Sequence, residues 1–93
     1  MIIHMSIHSP KPGMEQDPID SMHRFDAAGA GRPGFIEAKT LRNARSGRLV
    51  GMARWEDEAC WSAGVEAMRT AVADDPFAEW EDGETEGFFL AEV

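Results

Sequence analysis

Cys60 is the only cysteine among 93 residues, so no disulfide can form within the chain. That fits a reducing, cytoplasmic compartment. No apolar stretch approaches the roughly 20 residues needed to span a bilayer. Met1 to His8 is apolar, but it is too short for a signal peptide and lacks the basic flank. Basic residues are scarce as well: nine Lys and Arg against seventeen Asp and Glu, a net charge of −8. An acidic surface repels phosphate, which excludes nucleic acid and anionic membrane as natural partners. Arg42, Arg45 and Arg48 cluster in a polar turn and read as a solvated loop. The chain also lacks internal repeats and low-complexity segments.

What is present is enough apolar residue, 43%, for one small globular domain spanning residues 1–93. A domain of this size buries only about 60–65% of its surface by itself, so burial against a partner is expected. Ile2 to His8 alternates, with Ile3, Met5 and Ile7 on one side and His4, Ser6 and His8 on the other, as a half-buried strand does. Pro10 and Pro12-Gly13 stop it. Asp17-Pro18 predicts a helix start, and Ile19, Met22 and Phe25 share one face of the helix that follows. Gly29, Gly31 and Pro33-Gly34 end it. Phe35 to Asn43 is a second strand, followed by a polar hairpin loop.

The densest pattern runs from Leu49 to Trp80. Leu49 to Trp55 is a third strand, with Leu49, Gly51, Ala53 and Trp55 on one face. Small residues in line with a large flat one leave room for something to approach. Asp57 stands at an N-cap position and Glu58 in the first turn, where the helix dipole favours negative charge. Trp61, Val65, Met68 and Val72 then recur at helical spacing. Asp75-Pro76 breaks that helix, and Asp75 is positioned to cap a short turn bearing Phe77 and Trp80. Phe88, Phe89 and Leu90 mark a fourth strand.

The order strand, helix, strand, strand, helix, strand predicts an α+β, ferredoxin-like βαββαβ fold with a four-stranded antiparallel sheet. Right-handed crossovers place both helices on one face. The other face is then bare, and we expect it to carry His4, Ser6, His8 and Trp55. So apolar a face calls for a second copy: a homodimer closed through the open sheet face, with an interface on the order of 1,600 Å² or more.

Ala53-Arg54-Trp55-Glu56-Asp57-Glu58-Ala59 and its amphipathic helix resemble the antibiotic biosynthesis monooxygenase-like family, within the dimeric α/β-barrel superfamily. Lys11-Pro12-Gly13, Pro33-Gly34-Phe35 and Asp75-Pro76-Phe77 match the pattern in order and spacing. The resemblance implies a homodimer with a pocket between sheet and helices in each subunit. It also implies, in some members, oxygenation of aromatic polyketides or quinols without metal or flavin, and in others haem degradation. On matching positions Trp55 and Ser6 would line the pocket and Trp61 would supply a further aromatic. Two departures stand out. Gly51 occupies the place of an asparagine in the polyketide-oxidising members. Gly64-Val65-Glu66 occupies the region where the haem-degrading members carry a histidine.

Each candidate has a plainer reading. His4 and His8 share a strand face but lie about 13 Å apart along it, too far to hold one metal ion between them without help. They read as interface residues that can still accept a proton. His23 and Asp26, at i and i+3, form either an acid–base pair or a solvated helix surface. Cys60 is a reactive thiol at a helix start or inert packing. Trp55 is a substrate platform or core filling. The acidic run from Asp74 to Glu86 reads as a solvated edge.

Two functions follow. One is a small cofactor-free monooxygenase acting on an aromatic or quinol-type molecule, with His8 or His4 taking a proton and Trp55, Ser6, Trp61 and Gly51 shaping the substrate site. The other is a non-catalytic homodimer that binds a small apolar ligand or serves as an interaction module. Neither requires a cofactor or a metal.

Overall fold

The structure is a computed structural model describing residues 1–93. The elements are β1 (Ile2–His8), α1 (Gln16–Gly29), β2 (Phe35–Arg42), β3 (Leu49–Trp55), α2 (Glu58–Ala71), a short α3 (Phe77–Trp80) and β4 (Glu86–Ala91). The strands pair antiparallel in the order β2-β3-β1-β4. This is the ferredoxin-like arrangement that the element order predicts.

Local chemistry explains most boundaries. The Asp57 side chain accepts from Cys60 N at 2.8 Å and starts α2, as the sequence indicates. Helix α1 begins one residue before Asp17, at Gln16, and has no side-chain cap. Pro18 sits third in the helix, where its missing N–H costs nothing because the first turn has no internal acceptor for it. Asp75 does not cap α3. It accepts from Ser21 Oγ at 2.6 Å and pairs with Arg24 at 3.0 Å, clamping the α2–α3 junction onto α1. Gly34 (φ +79°) leaves the helix side of the turn before β2 in the left-handed region, and any Cβ there would run into Cys60.

The register assigns the faces. His4 opposes Ala53 and Phe89, and Ser6 opposes Gly51 and Gly87. The chain therefore directs His4, Ser6, His8, Gly51 and Trp55 under the helices, not onto the bare face. Trp55 is fully buried and packs edge-to-face on Phe35 with ring centroids 5.3 Å apart. Above it, α2 presents Gly64, at which any Cβ would overlap the indole ring. The two helices meet at a similar close approach, with Met68 of α2 against Gly29 of α1.

The uncovered face carries Ile3, Met5 and Ile7 in the centre, with Leu41, Val50, Phe88 and Leu90 around them. Leu41, Phe88 and Leu90 are 43–47% exposed. The expectation of an apolar bare face holds, but its membership is reversed. Crossover handedness puts the helices on one side of the sheet; it does not say which alternate set of side chains they cover. Here the more apolar set of β1 faces outward and the polar set borders a cavity.

Candidate functional site

A cavity of about 310 Å³ lies between the sheet and α1, at the small end of the range for ligand sites. Its floor is the row Gly51–Ser6–Gly87, which crosses three adjacent strands. A Cβ at Gly87 would meet nothing within 4 Å. At Gly51 a Cβ would fall 2.9 Å from Ser6 Oγ and 3.1 Å from Met22 Cε. Glycine on both sides of Ser6 thus clears the space over its hydroxyl. Phe25 and Phe77 give the cavity aromatic walls, and Met22 and Ala53 add to its apolar lining.

The polar groups converge on His8. Ser6 Oγ lies 3.0 Å from His8 Nε2, and His8 Nδ1 lies 2.8 Å from Glu81 Oε1. The carboxylate can only accept, so it draws the proton to Nδ1 and leaves the Nε2 lone pair facing the Ser6 hydroxyl. Thr85 Oγ1 lies 3.4 Å from Nδ1 on the same side. His8 and Glu81 are 8% and 6% exposed. Glu81 is held beneath β1 by backbone: Lys11 N donates to Trp80 O at 2.7 Å, Asp82 N to Ser9 O at 2.8 Å, and Glu81 N closes α3 on Phe77 O at 2.9 Å. Its second oxygen, Oε2, is buried without a partner. Glu81 is thus a buried acid, not part of a solvated acidic edge.

Asp26 projects from α1 into the same cavity. Burial pushes its carboxyl up to about 6, against the opposing pull of a Thr40 hydrogen bond and of His23. His23 is exposed and shapes Asp26 only through its charge. The imidazole of His4 is shifted the other way, its pKa lowered by burial and by nearby Arg69. His4 also packs on Trp61 edge-to-face with centroids 5.6 Å apart. Arg69 is the cation on the cavity wall and lies over the Trp61 ring at 5.9 Å.

Of the residues singled out from the sequence, His4, Ser6, His8 and Gly51 line this cavity. Trp55 does not: with no exposed surface it is core, walled off by Ala53, Phe35 and Gly64. Trp61 stands behind His4, its ring tilted at 45° against Phe89 with centroids 4.4 Å apart, and its Nε1 is buried without a partner. The Cys60 thiol is pushed up, first by its hydrogen bond with Asp57 and then by burial, the opposite of what a reactive thiol needs. Glu81, Arg69, Phe25 and Phe77 were not expected at a site, and Asp26 lines the cavity without His23, its expected i, i+3 partner. Glu81 is 73 residues from His8, and no local pattern links them.

Asp26 carries a pH prediction. Its folded-state value, about 6, exceeds the ordinary 3.8. Between those values the folded protein holds a proton that the unfolded chain has released. Stability from this group is therefore complete below about pH 4 and is lost as pH rises through 6. Asp26→Asn should remove the loss, gaining on the order of 1 kcal/mol at pH 7.5 after discounting for partial solvation, and little at pH 4. Urea midpoints of both proteins at the two pH values test this; an equal difference at both would contradict it.

No family model matches the sequence, and a search of curated proteins finds no match. Solved structures do match over the whole fold. A putative antibiotic biosynthesis monooxygenase from Nitrosomonas europaea has a TM-score of 0.72 and 16% identity, covering 100% of this chain and 99% of its own. SnoaB, a cofactor-independent oxygenase from Streptomyces nogalater, has a TM-score of 0.72 and 17% identity, covering 99% and 92%. MhuD, a haem-degrader from Mycobacterium tuberculosis whose structure holds two haems in its active site, has a TM-score of 0.74 and 15% identity, covering 100% and 96%. At such identities the likeness is one of fold, and that fold is the ferredoxin-like βαββαβ arrangement of the antibiotic biosynthesis monooxygenase structures.

Proposed function

We propose that this protein is a cofactor-independent oxygenase acting on a small hydroxylated aromatic, of phenol or quinol type, as a homodimer. The observation that carries the reading is the hydrogen-bonded line Ser6–His8–Glu81 at the floor of a small, mostly apolar cavity. Such a substrate needs a flat apolar space and one place to lose its hydroxyl proton. Phe25 and Phe77 supply the first. His8 Nε2 supplies the second, reached through the Ser6 hydroxyl, with Glu81 stabilising the imidazolium that results.

The electrons come from the substrate. Deprotonation gives an electron-rich phenolate, which transfers one electron to dioxygen. The superoxide and the phenoxyl radical combine at a ring carbon, and the proton held on His8 completes the hydroperoxide. Loss of water leaves a quinone, so one phenol and one O2 give one quinone and one water. Asp26, poised to be protonated near pH 6, is placed to return a proton to the departing oxygen. Haem is a poorer fit as substrate. Arg69 and Val72 are the residues that reach the cavity from α2 and its end, so α2 offers no imidazole to iron, and the cavity of about 310 Å³ is small for a porphyrin. The competing reading, a non-catalytic binding module, draws on Gly51 and Gly64-Val65-Glu66, which stand where the resembled oxygenases and haem degraders carry their asparagine and histidine. Oxygen consumption with a panel of phenols, naphthols and quinols separates the two. Uptake that His8→Gln abolishes supports the oxygenase; no uptake above background on any of them would count decisively for the module.

The dimer is part of the proposal. Ile3, Met5, Ile7, Phe88 and Leu90 form a contiguous apolar face on the side without helices, of a kind that single subunits rarely leave wet. Met5→Glu puts a charge at its centre. We expect dissociation at micromolar concentration, a loss of about 100-fold or more in dimer affinity. Sedimentation equilibrium reads this directly, and a variant as dimeric as wild type would place the interface elsewhere.

A further inference from the structure

We propose that Ser6 is itself a nucleophile and that the cavity cleaves small esters by way of an acyl-Ser6 intermediate. This shares the cavity with the oxygenase reading but needs none of its oxygen chemistry. The geometry has the parts that hydroxyl activation requires. Ser6 Oγ is 3.0 Å from His8 Nε2, and His8 Nδ1 is 2.8 Å from Glu81 Oε1. Glu81 is fixed by backbone on both sides and is nearly fully buried, so the imidazole is held in one orientation. A proton passed to Nε2 would be stabilised by the carboxylate behind it.

A second observation is independent of that line. On both neighbouring strands the residue opposite Ser6 is glycine. A side chain at Gly51 would crowd Ser6 Oγ, and the space over Gly87 is open. A hydrogen bond that served only to steady His8 would not need a cleared approach to the serine oxygen. An acyl carbonyl does need it. The cavity, about 310 Å³, suits an ester of a short acyl chain and a small aromatic alcohol. Arg69, the cation on the same cavity wall, also pairs with Glu66 at 3.3 Å, so it adds only a general positive field to the site.

The steps balance without a redox partner. Ser6 Oγ bonds to the carbonyl carbon as its proton moves to His8 Nε2. The bond from that carbon to the alcohol oxygen breaks, and the alcohol leaves with the proton from Nε2. Water then attacks the acyl-serine, His8 takes its proton and returns it to Ser6 Oγ, and the acid departs. The sum is ester and water to acid and alcohol.

The test uses the whole protein under argon, so that its result does not depend on oxygenase activity. An alkyl fluorophosphonate is incubated with wild type, Ser6→Ala and Glu81→Gln, followed by intact and peptide mass spectrometry. Hydrolysis of 4-nitrophenyl acetate is measured in parallel, and circular dichroism checks folding. We expect one phosphonyl adduct mapped to Ser6, no adduct in Ser6→Ala, labelling slowed at least about tenfold in Glu81→Gln, and ester turnover lost with Ser6. Absence of an adduct on Ser6 in folded wild type, or hydrolysis unchanged in folded Ser6→Ala, would overturn the assignment whatever the oxygen-uptake panel shows.

Discussion

Trp55→Ala is expected to remove about 3–5 kcal/mol of folding stability, a large share of the roughly 5–15 kcal/mol that holds a small domain together. The indole is wholly enclosed, with Phe35 edge-on at 5.3 Å and the backbone of Gly64 directly above it. Removing it opens a void between β3 and α2 that two anchored elements cannot close. Trp55→Phe should cost less, about 1–2 kcal/mol, because it keeps most of the volume and discards an Nε1–H that is buried without a partner. Gly64→Ala should destabilise from the opposite direction, by about 1–3 kcal/mol, since the added methyl has to displace the ring. Urea unfolding followed by tryptophan fluorescence and circular dichroism measures all three. A Trp55→Ala protein with the wild-type midpoint but impaired ligand binding would contradict the core role and return Trp55 to the cavity wall.

The second large effect is expected in kcat for Glu81→Gln, measured on whichever phenol or quinol consumes oxygen. The substitution keeps size and hydrogen-bonding capacity and removes the charge. A glutamine amide can donate to His8 Nδ1, favouring the tautomer whose Nε2 carries the proton, so the atom facing Ser6 no longer accepts. The imidazolium also loses its counter-ion at 2.8 Å. We expect kcat to fall by about 10²–10⁴-fold with KM changed by less than about threefold. Glu81 touches no substrate and acts by positioning, so the split between kcat and KM is the informative readout. An equal loss through KM alone would assign Glu81 a structural role, and Thr85→Val, which removes only the weaker 3.4 Å contact to the same nitrogen, should leave kcat within a few-fold of wild type.

Much of the fold is readable residue by residue. The third strand, the Asp57 cap and the stripe Val65–Met68 appear in the structure where spacing and capping put them. These features rest on contacts within a few residues, which local sequence encodes. The site is only half readable. Ser6 and His8 are visible as the polar set of an alternating strand, and Gly51 as a small residue in a row of small ones. Which side that set faces is not, because alternation defines two faces without saying which of them the helices cover. Burial of an acid is no more visible. Glu81 resembles its neighbours Glu79, Asp82 and Glu84 in every local respect. It differs because the strap after α3 returns under β1 and carries that one carboxylate beneath His8. Asp75 misleads for a related reason: an aspartate before a proline is a fair cap, but Ser21 and Arg24 on α1 offer it better partners.

Sequence alone determined the element order, the antiparallel ferredoxin-like topology and the apolar surplus on one sheet face, since periodicity, capping and chain reversal act over short separations. Tertiary structure decided that Trp55 is core, that the histidines of β1 face inward, that Asp26 lines the cavity and that Glu81 is buried behind His8. Those outcomes depend on how distant segments stack. Close approach at Gly64 and Gly29 sets where α2 lies, and the return of the chain after α3 sets which acid is cut off from water. Proton affinity and hydrogen-bond partnership follow from that enclosure, so the chemistry of this site exists only once the chain has closed around it.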